Sequence, residues 1–252
     1  MQYNDNIPQL FLNDFNLSNY IKYSDRVYIH REVDINTPVY HYMDYIYLIE
    51  MLEKKSIYIS NRTKFQDQRE YGAKENKRYS FSAFLDANMS KPKAVCCVKR
   101  HNEKKNLAYN DTAISCWTYD SHGNYDESYI LWNWFGKEKC RIESNIKNII
   151  DNLTDCSYDI IICKVEYAKE KFDTTIQDQI FRKHYKYKDE QEIRVCILNC
   201  NHDIVIPIRN MDVFMHKVRL SPFTTEKNNE FLDILKKFDW LKGKIEKTKI
   251  FE

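Results

Sequence analysis

The stretch KDEQEIRVCIL, residues 188 to 198, constrains this chain more than any other. Ile193, Val195 and Ile197 alternate with Arg194 and Cys196, the two-residue period of a half-buried strand. Carried back to the start of the stretch, that period puts Glu190, Glu192 and Arg194 on one face. Neighbouring carboxylates repel. Such a face is therefore either plain solvent or a place where the carboxylates have a task.

Other runs supply the partners of this strand. YDIIICKVEYA has a continuous apolar centre, the pattern of a strand central in its sheet. TPVYHYMD, SIYIS, DTAISCWTYD, HDIVIPI and FMHKVRLSP read as further strands, with Pro38 at a strand start where its missing N–H is tolerated. DYIYLIEMLEKK reads as a helix capped by Asp44, with Ile46, Ile49 and Leu52 at helical spacing. SNIKNIIDNL reads as an amphipathic helix with Ile146, Ile149, Ile150 and Leu153 inward and Ser144 as its N-cap. SYILWNWFG reads as a helix start, DTTIQDQIFRKHYKY as a helix running to the 191–198 strand, and TTEKNNEFLDILKKF as a last helix. Strands concentrate after residue 112, and helices both precede and interrupt them. That order favours an α+β fold, a mixed or antiparallel central sheet flanked by helices, over a regular βαβ series. Residues 1–36 read as an irregular or partly helical N-terminal extension and 37–252 as a single α+β domain. The strands at 38–42, 112–118, 158–167 and 191–198 should share one core, with the helices at 44–55 and 144–153 packed on it.

Composition excludes several classes. Among 252 residues, 39 Lys+Arg face 37 Asp+Glu, so no global field attracts a polyanion. The basic stretches 91–105 and 236–249 are mixed with acidic or apolar residues and read as solvated faces. No apolar run reaches membrane-spanning length and the first residues do not resemble a signal peptide, which predicts a cytoplasmic protein without a membrane partner. The eight cysteines are then free thiols, the adjacent Cys96 and Cys97 included. Cys196, Cys200 and His202 lack a fourth ligand at finger spacing, so no metal is expected.

Three stretches carry a resemblance: VYHYMDYIYLIEMLEKKSIYISNRTKFQDQREYG, DESYILWNWFGK and IFRKHYKYKDEQEIRVCI. Their order and spacing, with VRLSPF before the last helix, resemble a widespread family of uncharacterised bacterial proteins across about residues 38–251. That family has a tyrosine-rich opening, a Phe-Asn-Asp-Pro loop, Met-Trp-x-x-Tyr and Phe-x-x-Glu-x-Glu-x-Arg. Here the loop reads Phe65-Gln66-Asp67-Gln68, and Leu131 stands where the family has Met. The family itself implies no activity.

A looser resemblance does imply one. His41 inside the first strand, a helix, later core strands and Glu190-x-Glu192 opening a late strand are similar in layout to ADP-ribosyltransferases. By that resemblance NAD is the substrate, His41 holds its adenosine-side ribose, and Ser115 or Tyr58 on a middle strand shapes the nicotinamide pocket. Glu192 binds the 2′-hydroxyl of the nicotinamide ribose. Tyr42 joins the NAD-binding set as a rim aromatic, and Arg194 eases the ionisation of both carboxylates. Cleavage of the nicotinamide bond passes through an oxocarbenium-like state, which a carboxylate stabilises more than the ground state. Glu190 would orient or deprotonate the acceptor, a protein or nucleic acid. A toxin or phage-defence effector is the implied setting.

Each of these residues has a plainer role to set beside the chemical one. Glu190, Glu192 and Arg194 make an ion-pair ladder on an exposed strand, worth little. His41 is a satisfied strand histidine, Tyr40 and Tyr42 are packing aromatics, Trp132 and Trp134 are core, and Lys183 neutralises Glu190. On that reading the chain is a non-catalytic sensor or interaction domain that binds a nucleotide or a protein. Either way, a carboxylate lining a surface makes Glu192→Gln nearly neutral for stability.

Overall fold

The computed structural model describes residues 12–65, 110–120, 128–135, 139–153, 157–169, 175–223, 225–246 and 248. The expectations for Cys96 and Cys97, for the 91–105 basic stretch and for the loop beyond Phe65 lie outside the described residues. In chain order the strands are β1 (Tyr20–Lys22), β2 (Val27–His30), β3 (Pro38–Asp44), β4 (Ser56–Asn61), β5 (Thr112–Tyr119), β6 (Lys139–Asn145) and β7 (Ile160–Lys164). They continue with β8 (Glu166–Ala168), β9 (Arg182–His184), β10 (Glu192–Leu198), β11 (Ile204–Pro207), β12 (Lys217–Leu220) and β13 (Ile245–Glu246). Eleven form one sheet in the order β1-β2-β7-β10-β5-β3-β6-β12-β13, with β4 branching from β5 and β11 paired to β4. Pairing in it is antiparallel apart from β2 with β7 and β12 with β13. The fold is α+β, a mixed sheet flanked by helices.

One face of this sheet carries the main apolar core. Val39 and Met43 of β3, Ala113 and Trp117 of β5, Ile160 and Ile162 of β7, and Ile193, Val195 and Ile197 of β10 belong to a single core cluster. The helix Tyr45–Lys54 adds Leu48, Met51 and Leu52, and the helix Ile146–Leu153 adds Ile146, Ile149, Ile150 and Leu153. The expected core, sheet and pair of covering helices therefore form as read. The continuous apolar run of β7 is explained by burial on both sides: Ile160 and Ile162 face this cluster, while Ile161 and Cys163 face a second one.

The other face is covered in two patches. Near β7 and β10, Phe15, Tyr20, Ile176, Ile180 and Phe181 close over Ile161, Cys196 and Leu198. Near β3, Leu131 and Trp132 of the helix Tyr129–Phe135 close over Tyr40 and Tyr42. Between the patches the sheet surface is polar.

Three local expectations change. Residues before 37 supply the edge strands β1 and β2, and β2 runs parallel to β7 through Val27↔Ile160 and Ile29↔Ile162. The helix expected over 173–187 stops at Phe181, and Arg182–His184 pairs with β8 instead. A 3₁₀ segment, Tyr185–Glu190, follows it. Asn145 and not Ser144 caps the helix Ile146–Leu153: its side chain accepts the Asn148 N–H at 2.7 Å, while the Ser144 hydroxyl donates to the Phe214 carbonyl at 2.6 Å. No helix among the described residues is long and apolar enough to cross a membrane.

Candidate active site

Glu192 opens β10, and its alternation with Ile193 turns it away from the apolar core. It does not reach water. The residue is 2% exposed, and Arg194 is fully buried beside it. Arg194 grips the carboxylate with two nitrogens, Nε to Oε1 at 2.6 Å and Nη2 to Oε2 at 3.1 Å. Lys183, buried on β9, approaches Oε2 at 3.4 Å. Burial alone would raise the Glu192 pKa, but the Arg194 guanidinium and the Lys183 ammonium outweigh it and hold the carboxyl down at about 2. The Cys116 thiol adds a further hydrogen bond to the charged form.

Glu190 arrives by a different route from the one its spacing implies. It ends the 3₁₀ segment, and Gln191 then takes a left-handed conformation, φ 42°, before the strand begins. The strand alternation therefore stops at Glu192. Lys183 brings the two carboxylates together, pairing with Glu190 as well as with Glu192. Tyr167 closes the group from β8, its hydroxyl accepting the Glu192 N–H at 2.9 Å. Burial first, and then the Glu192 charge, raise the Tyr167 pKa, so it stays a neutral phenol.

Arg194 also ties the covering helix to the sheet. Its Nη1 donates to the Ile180 carbonyl at 2.5 Å, and Arg62, equally buried, donates to the Gln179 carbonyl. Two guanidiniums thus receive carbonyls at the C-terminal end of the helix Ile176–Phe181, where orphan acceptors need donors. Thr175 and Asp178 form a capping box at its other end.

Strand register extends this polar zone across the sheet. Glu192 lies opposite Thr118, Thr118 opposite Tyr40, Tyr40 opposite Glu143, and Glu143 opposite Lys217. At about 4.8 Å per strand, Glu192 and Tyr40 are about 10 Å apart. On the next row Tyr42 faces Arg141, and Arg141 faces Arg219. The Arg141 guanidinium sits over the Tyr40 ring, 4.2 Å from its centroid, and Tyr42 meets Trp132 edge-on at 5.0 Å. The result is a carboxylate at one end of a band of tyrosines and guanidiniums.

The structure divides the residues singled out in the sequence. Glu192, Arg194 and Tyr42 share this face, and Glu190 joins it through Lys183. His41 and Ser115 sit on the opposite face, with the apolar core. The His41 ring lies 5.1 Å from that of Trp117, and the Trp117 indole donates to the Ser115 hydroxyl at 2.9 Å. There His41 completes a fork in the sheet. β4 pairs with β5 at Ala113 and Ile114, β3 pairs with it at Thr118 and Tyr119, and the Cys116 carbonyl falls between them. His41 Nδ1 donates to that carbonyl at 2.7 Å. A carbonyl only accepts, so Nδ1 carries the proton, and burial lowers the ring pKa and keeps it neutral. Tyr58 is exposed on β4, on the outer wing, where its hydroxyl is engaged with Asp203 and Lys64.

Sequence reasoning passed over Arg141, Thr118 and Cys116 as site residues and gave Tyr40 only a packing or rim role. Register with Glu192 is what groups them, and register between distant strands has no local signature. Among the described residues no cluster of His, Cys, Asp or Glu is disposed to hold a metal ion.

No protein-family model and no curated protein matches the chain. One solved structure, Thermus sp. 2.9 DarT in complex with ADP-ribosylated ssDNA, aligns with a TM-score of 0.33 and 8% identity, covering 83% of this chain and 92% of that one. Likeness at that level carries no weight for fold or activity, and the site stands on its own residues.

Proposed function

We propose that the chain is an NAD-consuming enzyme of the ADP-ribosyltransferase kind, acting from the Glu192 face, with a toxin or phage-defence effector as its setting. The observation that supports it is a buried carboxylate held ionised at about 2 beside a second one. An oxocarbenium-like ribose needs such a fixed negative charge in a water-poor place, where charge interactions are strongest. Lys183 makes the longest of the Glu192 contacts and also pairs with Glu190, so the Oε2 side is where a ribose hydroxyl would enter. Glu190, 15% exposed at its side chain, is better placed to meet an acceptor. Tyr42 and Tyr40, covered by Leu131 and Trp132, and the buried Arg141 continue the same face, and the rest of the dinucleotide is assigned to them. His41 and Ser115 then act through the sheet, not by contact with NAD. The described cysteines are free thiols, in keeping with a reducing cytoplasmic setting.

One observation favours a second reading. Both Glu192 oxygens already have cationic partners, as a purely structural ion pair requires. On that reading the face is architecture and the chain is a non-catalytic nucleotide- or protein-binding domain. Nicotinamide release from NAD by the purified protein, offered protein and nucleic-acid acceptors, separates the two. The transferase reading expects release by the wild type, and in Glu190→Gln a larger loss of transfer to the acceptor than of nicotinamide release. An inert wild type that does not bind NAD leaves only the second reading.

A further inference from the structure

The segment that joins the Glu190 carboxylate to β9 carries an alternation of its own: His184-Tyr185-Lys186-Tyr187-Lys188. In a 3₁₀ turn residues three apart share a face, so Tyr185 and Lys188 project together. Lys188 Nζ donates to the Tyr185 hydroxyl at 3.1 Å and lies 4.9 Å from the ring centroid. Lys169, after β8, reaches the same ring at 5.6 Å. Tyr185 is 40% exposed, a large aromatic left in water between two ammonium groups. Tyr187 turns inward, with Lys183 and Lys186 over its ring at 4.7 and 4.5 Å.

Local charge here differs from the near-neutral whole. Arg182 engages Glu166 at 2.7 Å and Asp178 at 3.5 Å, and Lys183 engages Glu190. Among the described residues this leaves Lys169, Lys186 and Lys188 on the surface against Asp189. The helix Tyr129–Phe135 lies against the same segment and exposes Trp134 and Tyr129.

We propose that this strip docks a single-stranded nucleic acid, with a base stacked on Tyr185 and neighbouring phosphates on Lys169, Lys186 and Lys188. An exposed ring flanked by ammonium groups is what an unpaired base and its backbone need. A duplex, its bases already stacked, offers the rings nothing. The strip leads directly into Glu190. As an acceptor site it rests on the proposed transfer reaction; as a binding surface it stands without it.

The test is fluorescence anisotropy of the full chain with short labelled single-stranded DNA and RNA of one sequence at low salt. Unlabelled duplex and oligoglutamate serve as competitors. Binding of either single strand is expected, and the tighter of the two names the polymer. Tyr185→Ala should weaken it about 5- to 150-fold, and Tyr185→Phe should keep it. Lys186→Ala with Lys188→Ala should flatten the slope of log affinity against log salt by about 1.4. No binding of either strand, binding unchanged in Tyr185→Ala, or competition by duplex or oligoglutamate as strong as by the single strand overturns the proposal. Nicotinamide release without oligonucleotide reads the transferase proposal separately, so either can fail while the other holds.

Discussion

The two faces of β10 reach the same burial by different means. On one, Ile193, Val195 and Ile197 are fully enclosed among apolar neighbours from β5, β7 and two helices. On the other, Glu192 and Arg194 are just as deep, but as ions that satisfy each other, Lys183 and a helix terminus. An apolar face loses stability in proportion to what is cut from it. An ionic face loses most when one partner goes and the other stays, and little when both are replaced by packed apolar groups. The ionic face thus has a weaker claim to existing for stability alone.

The largest expected effect breaks the ionic face. Glu192→Gln leaves Arg194 buried without its counter-charge and should destabilise the protein by about 3–5 kcal/mol in urea unfolding. This corrects the expectation of a nearly neutral substitution, which assumed a carboxylate lining a surface. Replacing Glu192 and Arg194 together by Leu and Met should recover most of that loss. If the double variant is as unstable as the single one, the ties of the pair to Lys183 and the Ile180 carbonyl matter more than the pair itself. Truncating the apolar face, Ile193→Ala, should remove about 2–5 kcal/mol through lost burial and the cavity left behind.

Acid sharpens the contrast further. The folded Glu192 carboxyl sits at about 2 against an ordinary 4.5, so between those values the unfolded chain binds the extra proton. The stability linked to it is complete above 4.5 and drains away as pH falls toward 2, by at most about 1.4 kcal/mol per pH unit. Unfolding measured across that window should be less pH-dependent in the Leu/Met double variant than in the wild type, whereas Ile193→Ala should keep the wild-type dependence. A smaller change belongs to Glu190→Gln, because the buried Lys183 keeps the Glu192 carboxylate as a partner, and the loss should stay below that of Glu192→Gln. A loss as large would place Glu190 with the buried ions.

The sequence showed one face of β10 more clearly than the other. Alternation at Ile193, Val195 and Ile197, the run at Ile160 to Cys163 and the helical spacing at Ile146 to Leu153 are local patterns, and the core follows from them. Glu192 and Arg194 were legible as a pair, because two residues apart on a strand fixes a shared face. Their burial was not, since it depends on the helix Ile176–Phe181, whose Ile180 carbonyl meets Arg194, and on Lys183 and Tyr167, brought in by β9 and β8. The left-handed Gln191 that takes Glu190 off the strand carries no glycine or asparagine to announce it. His41 was placed with Glu192 by layout alone. Alternation with Tyr40 and Tyr42 turns it to the opposite face, because register through Thr118 puts those tyrosines on the Glu192 side, and that register joins strands distant in sequence.

The most direct test of the central claim is the carboxyl carbon-13 resonance of Glu192 in glutamate-labelled protein, assigned through the backbone of β10 and followed as NAD is added at neutral pH. If the Glu192 face receives the nicotinamide ribose, that resonance shifts on saturation while the backbone signals of Ile193 and Val195 stay close to their free positions. A Glu192 signal unmoved at NAD concentrations that saturate the protein, or a protein that never binds NAD, contradicts the claim and leaves the buried pair as architecture.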